Sequence, residues 1–95
     1  MAYRTTREAD NDIAGVFEFG ALEYGFQRAE DYVDGLRDTL DRIGARPYIV
    51  RERTEFRPAV RIYPYNAHVV IYRIENEDAL IIRILSARQD WKRHI

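Results

Sequence analysis

The sequence predicts an α+β fold in which a helical hairpin packs on one face of an antiparallel β-sheet. Through the first 45 residues, apolar side chains recur every three or four positions, which is the period of amphipathic helices. Residues 60–85 instead contain three short runs rich in β-branched and aromatic residues, separated by turn signals. Helices grouped in one half of a chain and strands in the other are typical of α+β domains.

The first half is predicted to form a short edge strand at residues 2–5 and then two helices. Thr5 and Thr6 both offer N-caps for the first helix, and Thr5 with Glu8 fits a capping box. The helix should run to about Gly25. Gly44 is the expected stop of the second helix, because glycine adopts the left-handed conformation that often follows a helix. Each helix has one apolar face, so both need a surface to cover.

The second half is predicted to supply that surface as three strands and one short extended piece, at residues 60–63, 68–74, 80–85 and 48–51. An odd-length loop between the last two strands would place Tyr72 on the same side as Ile82, giving one wholly apolar face toward the helices. The opposite face would then hold two arginines among apolar residues: Arg73, Arg83, Ile71, Ile81 and Leu85.

Composition limits the possible functions. A chain of 95 residues predicts one domain over residues 1–95. The chain has no Cys and two His, which excludes disulfides and makes a zinc site improbable, so no metal or cofactor is expected. The first twelve residues contain no apolar run, which predicts neither a signal peptide nor a membrane span and makes the cytoplasm the default location.

Charge is divided unevenly along the chain. Residues 1–45 hold five Arg against ten Asp and Glu, whereas residues 46–95 hold nine Arg and one Lys against six Asp and Glu. This asymmetry indicates either an acidic partner for the second half or mutual neutralisation of the two halves in the fold.

The last ten residues are predicted to form a short helical turn. Ser86 and Gln89 fit a second capping box, and Trp91 would anchor the turn on the core. Arg88 and Lys92 would then point outward, which predicts a basic surface beside the last strand.

Four stretches of the chain carry a family resemblance: TREADNDIAGVFEFGALEYG, YVDGLRDTLDRIGARP, RPAVRIYPYNAHVVIYRI and LIIRILSARQDW. They resemble the ParE branch of the RelE/ParE toxins of type II toxin–antitoxin systems. The resemblance covers nearly the whole chain and is most specific from Arg61 to Trp91. It implies a bacterial cytoplasmic toxin held in a hetero-oligomeric complex by a ParD-like antitoxin. ParE-type toxins are associated with poisoning DNA gyrase, whereas RelE-type relatives cleave messenger RNA on the ribosome.

The choice between these activities depends on whether an acid–base set is present. A metal-independent ribonuclease needs a base, an acid and cations around the scissile phosphate. The candidate catalytic residues for a nuclease would be Arg61, Arg73, Arg83 and His94. Ser86 follows the last strand, where many family members carry His. The sequence therefore favours a toxin that acts by binding, with a ribosome-dependent endoribonuclease and a non-toxic antitoxin-binding module as alternatives.

The binding hypothesis predicts that an acidic antitoxin segment uses arginines for its carboxylates and apolar residues as anchors. The candidate antitoxin- or target-binding residues are Arg61, Ile71, Arg73, Ile81, Arg83, Leu85, Arg88, Trp91 and Lys92. The alternative is that the arginines pair with Glu55 or Glu75 on the same sheet. Tyr72 is predicted to be a core residue, and His68 is predicted to be solvated.

Overall fold

A computed structural model describes residues 2–95 as two helices on a five-stranded sheet. The elements in chain order are β1 (Tyr3–Thr5), α1 (Arg7–Tyr24), α2 (Phe26–Ala45), β2 (Glu52–Arg53), β3 (Val60–Tyr65), β4 (His68–Glu75), β5 (Asp78–Ser86) and a 3₁₀ turn (Trp91–His94). The strand order is β1-β5-β4-β3-β2, antiparallel except for β1, which pairs with β5 in parallel. The predicted α+β fold is confirmed. Within residues 2–95, none of the helices is both long and apolar enough to span a membrane.

The start of α1 is capped by Thr6, the second of the two predicted N-caps, and the capping box predicted at Thr5 and Glu8 is wrong. The Thr6 hydroxyl accepts the backbone N–H of Ala9 at 3.0 Å and donates to the carbonyl oxygen of Ile82 at 2.7 Å. The cap moves by one residue because Thr5 still belongs to β1 and pairs with β5. One side chain therefore both begins the helix and ties it to the sheet.

The end of α2 lies at Ala45, so Gly44 is inside the helix and does not stop it. Glycine is needed there for space. A Cβ atom at position 44 would lie 2.9 Å from the backbone of Ala2 and from that of Tyr3. The absence of a side chain lets α2 pack directly against β1.

We expect Gly44→Ala to be less stable than Gly15→Ala by about 1–3 kcal/mol, because the added methyl group overpacks a contact between two backbones. Gly15 is a matched control, since it also lies in a helix and a Cβ there would meet nothing within 4 Å. Urea denaturation of the two variants measures the difference in the free energy of unfolding. Equal stabilities would contradict the close contact of α2 with β1.

The main core lies between the helices and one face of the sheet. Its sheet residues are Val70, Tyr72, Ala79, Ile81 and Ile84. Tyr72 is fully buried, as predicted, and its hydroxyl donates to the carbonyl oxygen of Pro47 at 2.8 Å. This bond satisfies the buried hydroxyl and fixes the loop that follows α2.

The register of β4 against β5 differs from the prediction. The connecting turn consists of Asn76 and Glu77, both at positive φ, so the loop has an even length and pairs Tyr72 with Ile81. Beyond a β-bulge between Ile71 and Tyr72 the strands return to the predicted register, in which Ile71 pairs with Arg83. The even-length turn places Ile81 opposite Tyr72 on the face toward the helices, where it is fully buried. The prediction that Ile81 faces a partner is therefore wrong.

The opposite face of the sheet carries a second apolar cluster formed by Val60, Val69, Ile71 and Leu85. Partly buried side chains pack against it, namely Phe56, Ile62, Ile82 and Trp91. The semi-apolar face predicted from the sequence is thus present, but the chain's own loop and tail pack on it. The short extended piece predicted at residues 48–51 lies at β2 instead, because residues 47–50 form turns and bends.

The tail differs from the predicted capped helix. β5 continues through Ser86, whose hydroxyl oxygen accepts the backbone N–H of Arg88 at 3.3 Å in a turn. The 3₁₀ turn begins only at Trp91, which packs beside Phe56 with ring centroids 6.4 Å apart. The Lys92 ammonium lies 5.7 Å from the centre of the Trp91 ring. The prediction that Trp91 anchors the tail is confirmed.

Candidate partner-binding groove

A groove follows α1 on the side that faces the end of β5. Its first part, the hairpin cavity, measures about 360 Å³ and lies between α1, α2 and the β3–β4 turn. Its second part, the tail cavity, measures about 620 Å³ and lies between α1 and residues 83–89. Both are lined by Val16, Phe19, Tyr24, Ala67 and His68. The two cavities therefore form one surface, which we call the α1 groove.

The wall that α1 contributes to the groove is apolar and open to solvent. Phe19 is 63% exposed, and Tyr24 is exposed to a similar extent. Two further apolar side chains, Leu22 and Phe26, are exposed at the tip of the helical hairpin outside the groove. Exposed apolar side chains along a groove are typical of interaction sites.

The charged side chains that line the α1 groove are mostly basic. Among residues 2–95 they are Arg28, Arg83, Arg88 and a single acid, Asp12. Asp12 is bound by Arg83, which leaves Arg28 and Arg88 as positive charges beside the apolar wall. The groove is thus complementary to an extended segment that carries both apolar and acidic side chains.

Asp12 and Arg83 form a bidentate ion pair beside a stretch of β5 whose outer edge has no neighbouring strand. Arg83 Nε and Nη2 donate to Asp12 Oδ2 and Oδ1 at 2.8 and 3.0 Å. The backbone N–H of Ile84 also donates to Asp12, at 2.9 Å. β1 covers β5 only as far as Ile81, so the edge beyond it would otherwise be unpaired. The hydrogen bond to Asp12 raises the pKa of Arg83 above its usual value.

The structure does not bring the four candidate nuclease residues together. Arg83 pairs with Asp12 on α1. Arg73 pairs with Glu75 at 3.1 Å, which confirms for this residue the alternative prediction that the arginines pair with acids of the sheet. The guanidinium group of Arg61 donates to the carbonyl oxygen of Val50 and lies 5.0 Å from the centre of the Tyr48 ring. His94 is exposed in the terminal turn. The arginines thus hold separate parts of this fold, and no shared phosphate site results.

The remaining candidate binding residues fall into two groups. Ile71 and Leu85 are buried in the second apolar cluster, although Leu85 also lines the tail cavity. Arg88 and Lys92 are exposed, and within residues 2–95 neither forms an ion pair. Of the predicted binding set, only Arg83, Leu85 and Arg88 line the α1 groove.

Sequence reasoning missed the polar contact at the middle of the groove. His68 was expected to be solvated, but its Nδ1 atom lies 2.7 Å from the hydroxyl oxygen of Tyr32 on α2. Burial lowers the pKa of His68 and raises the pKa of Tyr32, so both are neutral at pH 7. Tyr65 donates to the carbonyl oxygen of Tyr32 at 2.8 Å and fixes the same turn of helix. Tyr32 and His68 are 36 residues apart in the sequence, and no local pattern predicts that they meet.

Comparisons with known proteins agree with this fold. A family model described as the ParE toxin of the type II toxin–antitoxin system parDE matches residues 3–91. Toxin ParE3 of Caulobacter vibrioides is 29% identical over 85 residues, which cover 90% of this chain and 85% of the relative. Toxin ParE1 of Mycobacterium tuberculosis is 33% identical over 73 residues, which cover 76% of this chain and 74% of the relative.

A solved structure described as the chromosomal ParDE TA system from P. aeruginosa contains a chain of the same fold. It superposes with a TM-score of 0.70 at 18% identity, covering 90% of this chain and 95% of that one. The similarity shows a shared fold of two helices packed on a β-sheet.

Proposed function

Because the chain belongs to the ParE toxin family of type II toxin–antitoxin systems, we propose that it arrests growth by poisoning DNA gyrase. A cognate ParD-like antitoxin encoded with it would neutralise it by forming a hetero-oligomeric complex. The observation that carries the proposal is the family match, which extends over residues 3–91 of 95. The solved ParDE structure supports the antitoxin partner, because that system contains a chain of this fold.

The α1 groove is the surface that we assign to the antitoxin. It offers exposed apolar side chains such as Phe19 beside the unpaired charges of Arg28 and Arg88. An antitoxin segment with an apolar face and acidic residues fits both features. Such a segment would also cover Arg88, the first basic residue of the tail formed by residues 87–95. We assign this basic tail to binding of gyrase. Occupation of the groove then blocks the target surface directly.

The arrangement of the arginines does not favour nuclease chemistry. Arg61, Arg73 and Arg83 are each engaged within the chain, at three different places. An enzyme of the RelE type would need cations and an acid–base pair converging on one phosphate. A ribosome-dependent endoribonuclease therefore has no geometric support in this fold.

Expression of the toxin without its antitoxin tests the proposal. We expect growth arrest with filamentation and induction of the DNA-damage response, because trapped gyrase leaves broken DNA. Sequencing of RNA 5′ ends from the same cells should show no new cuts within codons. New cuts would instead identify a nuclease, and harmless expression with retained antitoxin binding would identify a non-toxic binding module.

A further inference from the structure

The hydroxyl group of Tyr32 sets the protonation of His68. The backbone N–H of Ala67 can only donate, and it donates to the Tyr32 oxygen at 3.3 Å. The hydroxyl keeps a single proton, and the imidazole Nδ1 atom lies 2.7 Å from its oxygen, so one of the two groups donates to the other. We assign the hydroxyl as the donor, because its oxygen already accepts from Ala67 and its proton has no other acceptor among residues 2–95. The neutral imidazole then carries its own proton on Nε2.

The Nε2–H group of His68 is left free for a ligand. Within residues 2–95 it has no hydrogen-bond partner, and these residues contain no buried side-chain nitrogen or oxygen atom without one, so Nε2 reaches solvent. His68 lines both the hairpin cavity and the tail cavity. The donor therefore opens into the α1 groove, beside the apolar wall formed by Phe19 and Tyr24.

The charges around His68 define what it can bind. The ionisable groups that line the groove or lie beside His68 are Tyr32 and Arg28 from α2, Tyr65 from β3, Tyr24 and Asp12 from α1, and Arg83 and Arg88 from β5 and the tail. The one carboxylate that lines the groove within residues 2–95, Asp12, is bound by Arg83. No acid of the described chain thus competes for the Nε2–H group.

We propose that His68, held in its Nε2–H tautomer by Tyr32, is a specificity-determining residue of the groove and binds a carboxylate of the acidic partner segment. This inference rests on the proposed function, because the segment is that of the antitoxin. The apolar wall supplies contact area, whereas one directed donor in an apolar setting selects the register of the bound segment. A donor that the bound segment buries without giving it an acceptor is costly, so segments without an acid at this point are rejected.

Two substitutions separate the roles of the two ring nitrogens. His68→Gln keeps an N–H donor near the position of Nε2. His68→Asn keeps an acceptor near Nδ1 for the Tyr32 hydroxyl but removes the donor from the groove. Calorimetric titration of each toxin with the cognate antitoxin should show binding within about threefold of wild type for Gln and about 10- to 100-fold weaker for Asn. Thermal melts of both variants check that each remains folded.

The pH dependence of binding identifies the acceptor. A carboxylate against Nε2–H favours the charged imidazolium, so the pKa of His68 must be higher in the complex than in the free toxin, where burial lowers it. The complex then takes up a proton, and affinity rises as pH falls through the interval between the two pKa values. His68→Gln should lack this dependence. A wild-type toxin without it would exclude a carboxylate and overturn the proposal.

The remaining outcomes are also distinguishable. If His68→Asn binds the antitoxin as tightly as wild type does, the role of His68 is refuted while antitoxin binding stands. If wild-type toxin does not bind the antitoxin, the proposed function itself fails. Long-range ¹H–¹⁵N NMR of the free toxin reads the tautomer in either case, and a proton on Nδ1 would overturn the assignment. Tyr32→Phe should populate both tautomers.

Discussion

Replacing Asp12 with alanine is expected to lower the free energy of unfolding by about 2–4 kcal/mol. The Asp12 side chain is only 15% exposed and Arg83 is 28% exposed, so solvent screens this pair less than a surface pair. The substitution removes three hydrogen bonds at once and leaves the Ile84 N–H and the Arg83 guanidinium without their acceptor. Urea denaturation of the purified toxin measures the loss.

The matched control for Asp12→Ala is Glu18→Ala. Glu18 lies on the same helix, is exposed and within residues 2–95 has no ion-pair partner, so its removal should change stability by no more than about 0.5 kcal/mol. Arg83→Lys should fall between the two, because lysine keeps the charge but cannot make the two-pronged contact. If Asp12→Ala and Glu18→Ala are equally stable, the ion pair does not hold α1 to the edge of β5.

Replacing Phe19 with glutamate is expected to weaken binding of the cognate antitoxin by about 100-fold or more, which corresponds to about 2.7 kcal/mol. Phe19 lines both cavities of the α1 groove and is 63% exposed, so the substitution removes apolar contact without disturbing the core. The new carboxylate also repels an acidic segment. Biolayer interferometry with immobilised antitoxin measures the change in dissociation rate.

Leu22→Glu is the matched control for Phe19→Glu. Leu22 lies on the same helix and is 86% exposed, but it lines neither cavity. The charge change is identical, so general electrostatic repulsion affects both variants alike, and Leu22→Glu should weaken binding by no more than about threefold. Equal losses for the two variants would mean that the antitoxin does not enter the groove.

The sequence predicts the elements of this fold well because their signals are local. Helical periodicity and turn residues predict α1, α2 and the last three strands, and the aliphatic neighbours of Tyr72 predict its burial. The prediction of the β4–β5 register failed because Ile81 and Ile82 are adjacent in the sequence and both are apolar. A bulge allows either of them to face the helices, and alternation alone cannot distinguish the two arrangements.

The groove was harder to predict because its important contacts are long-range. Asp12 lies in the early turns of α1, where an acidic residue suits the helix dipole and indicates no partner, yet it pairs with Arg83, which is 71 residues away. Tyr32 and His68 likewise meet only when α2 packs against the β3–β4 turn. Gly44 was interpreted as a helix stop because glycine commonly has that role, whereas here it makes room for β1. Each of these residues is explained by a partner that the sequence does not place beside it.

The most direct test of the account is a gyrase cleavage assay with purified toxin. Gyrase, supercoiled plasmid and ATP are incubated with micromolar toxin, and any cleaved DNA is trapped with detergent and protease. We expect linear plasmid to accumulate with wild-type toxin and to disappear when equimolar cognate antitoxin is added first. Unimpaired supercoiling with no linear product would contradict the proposal that this toxin poisons gyrase.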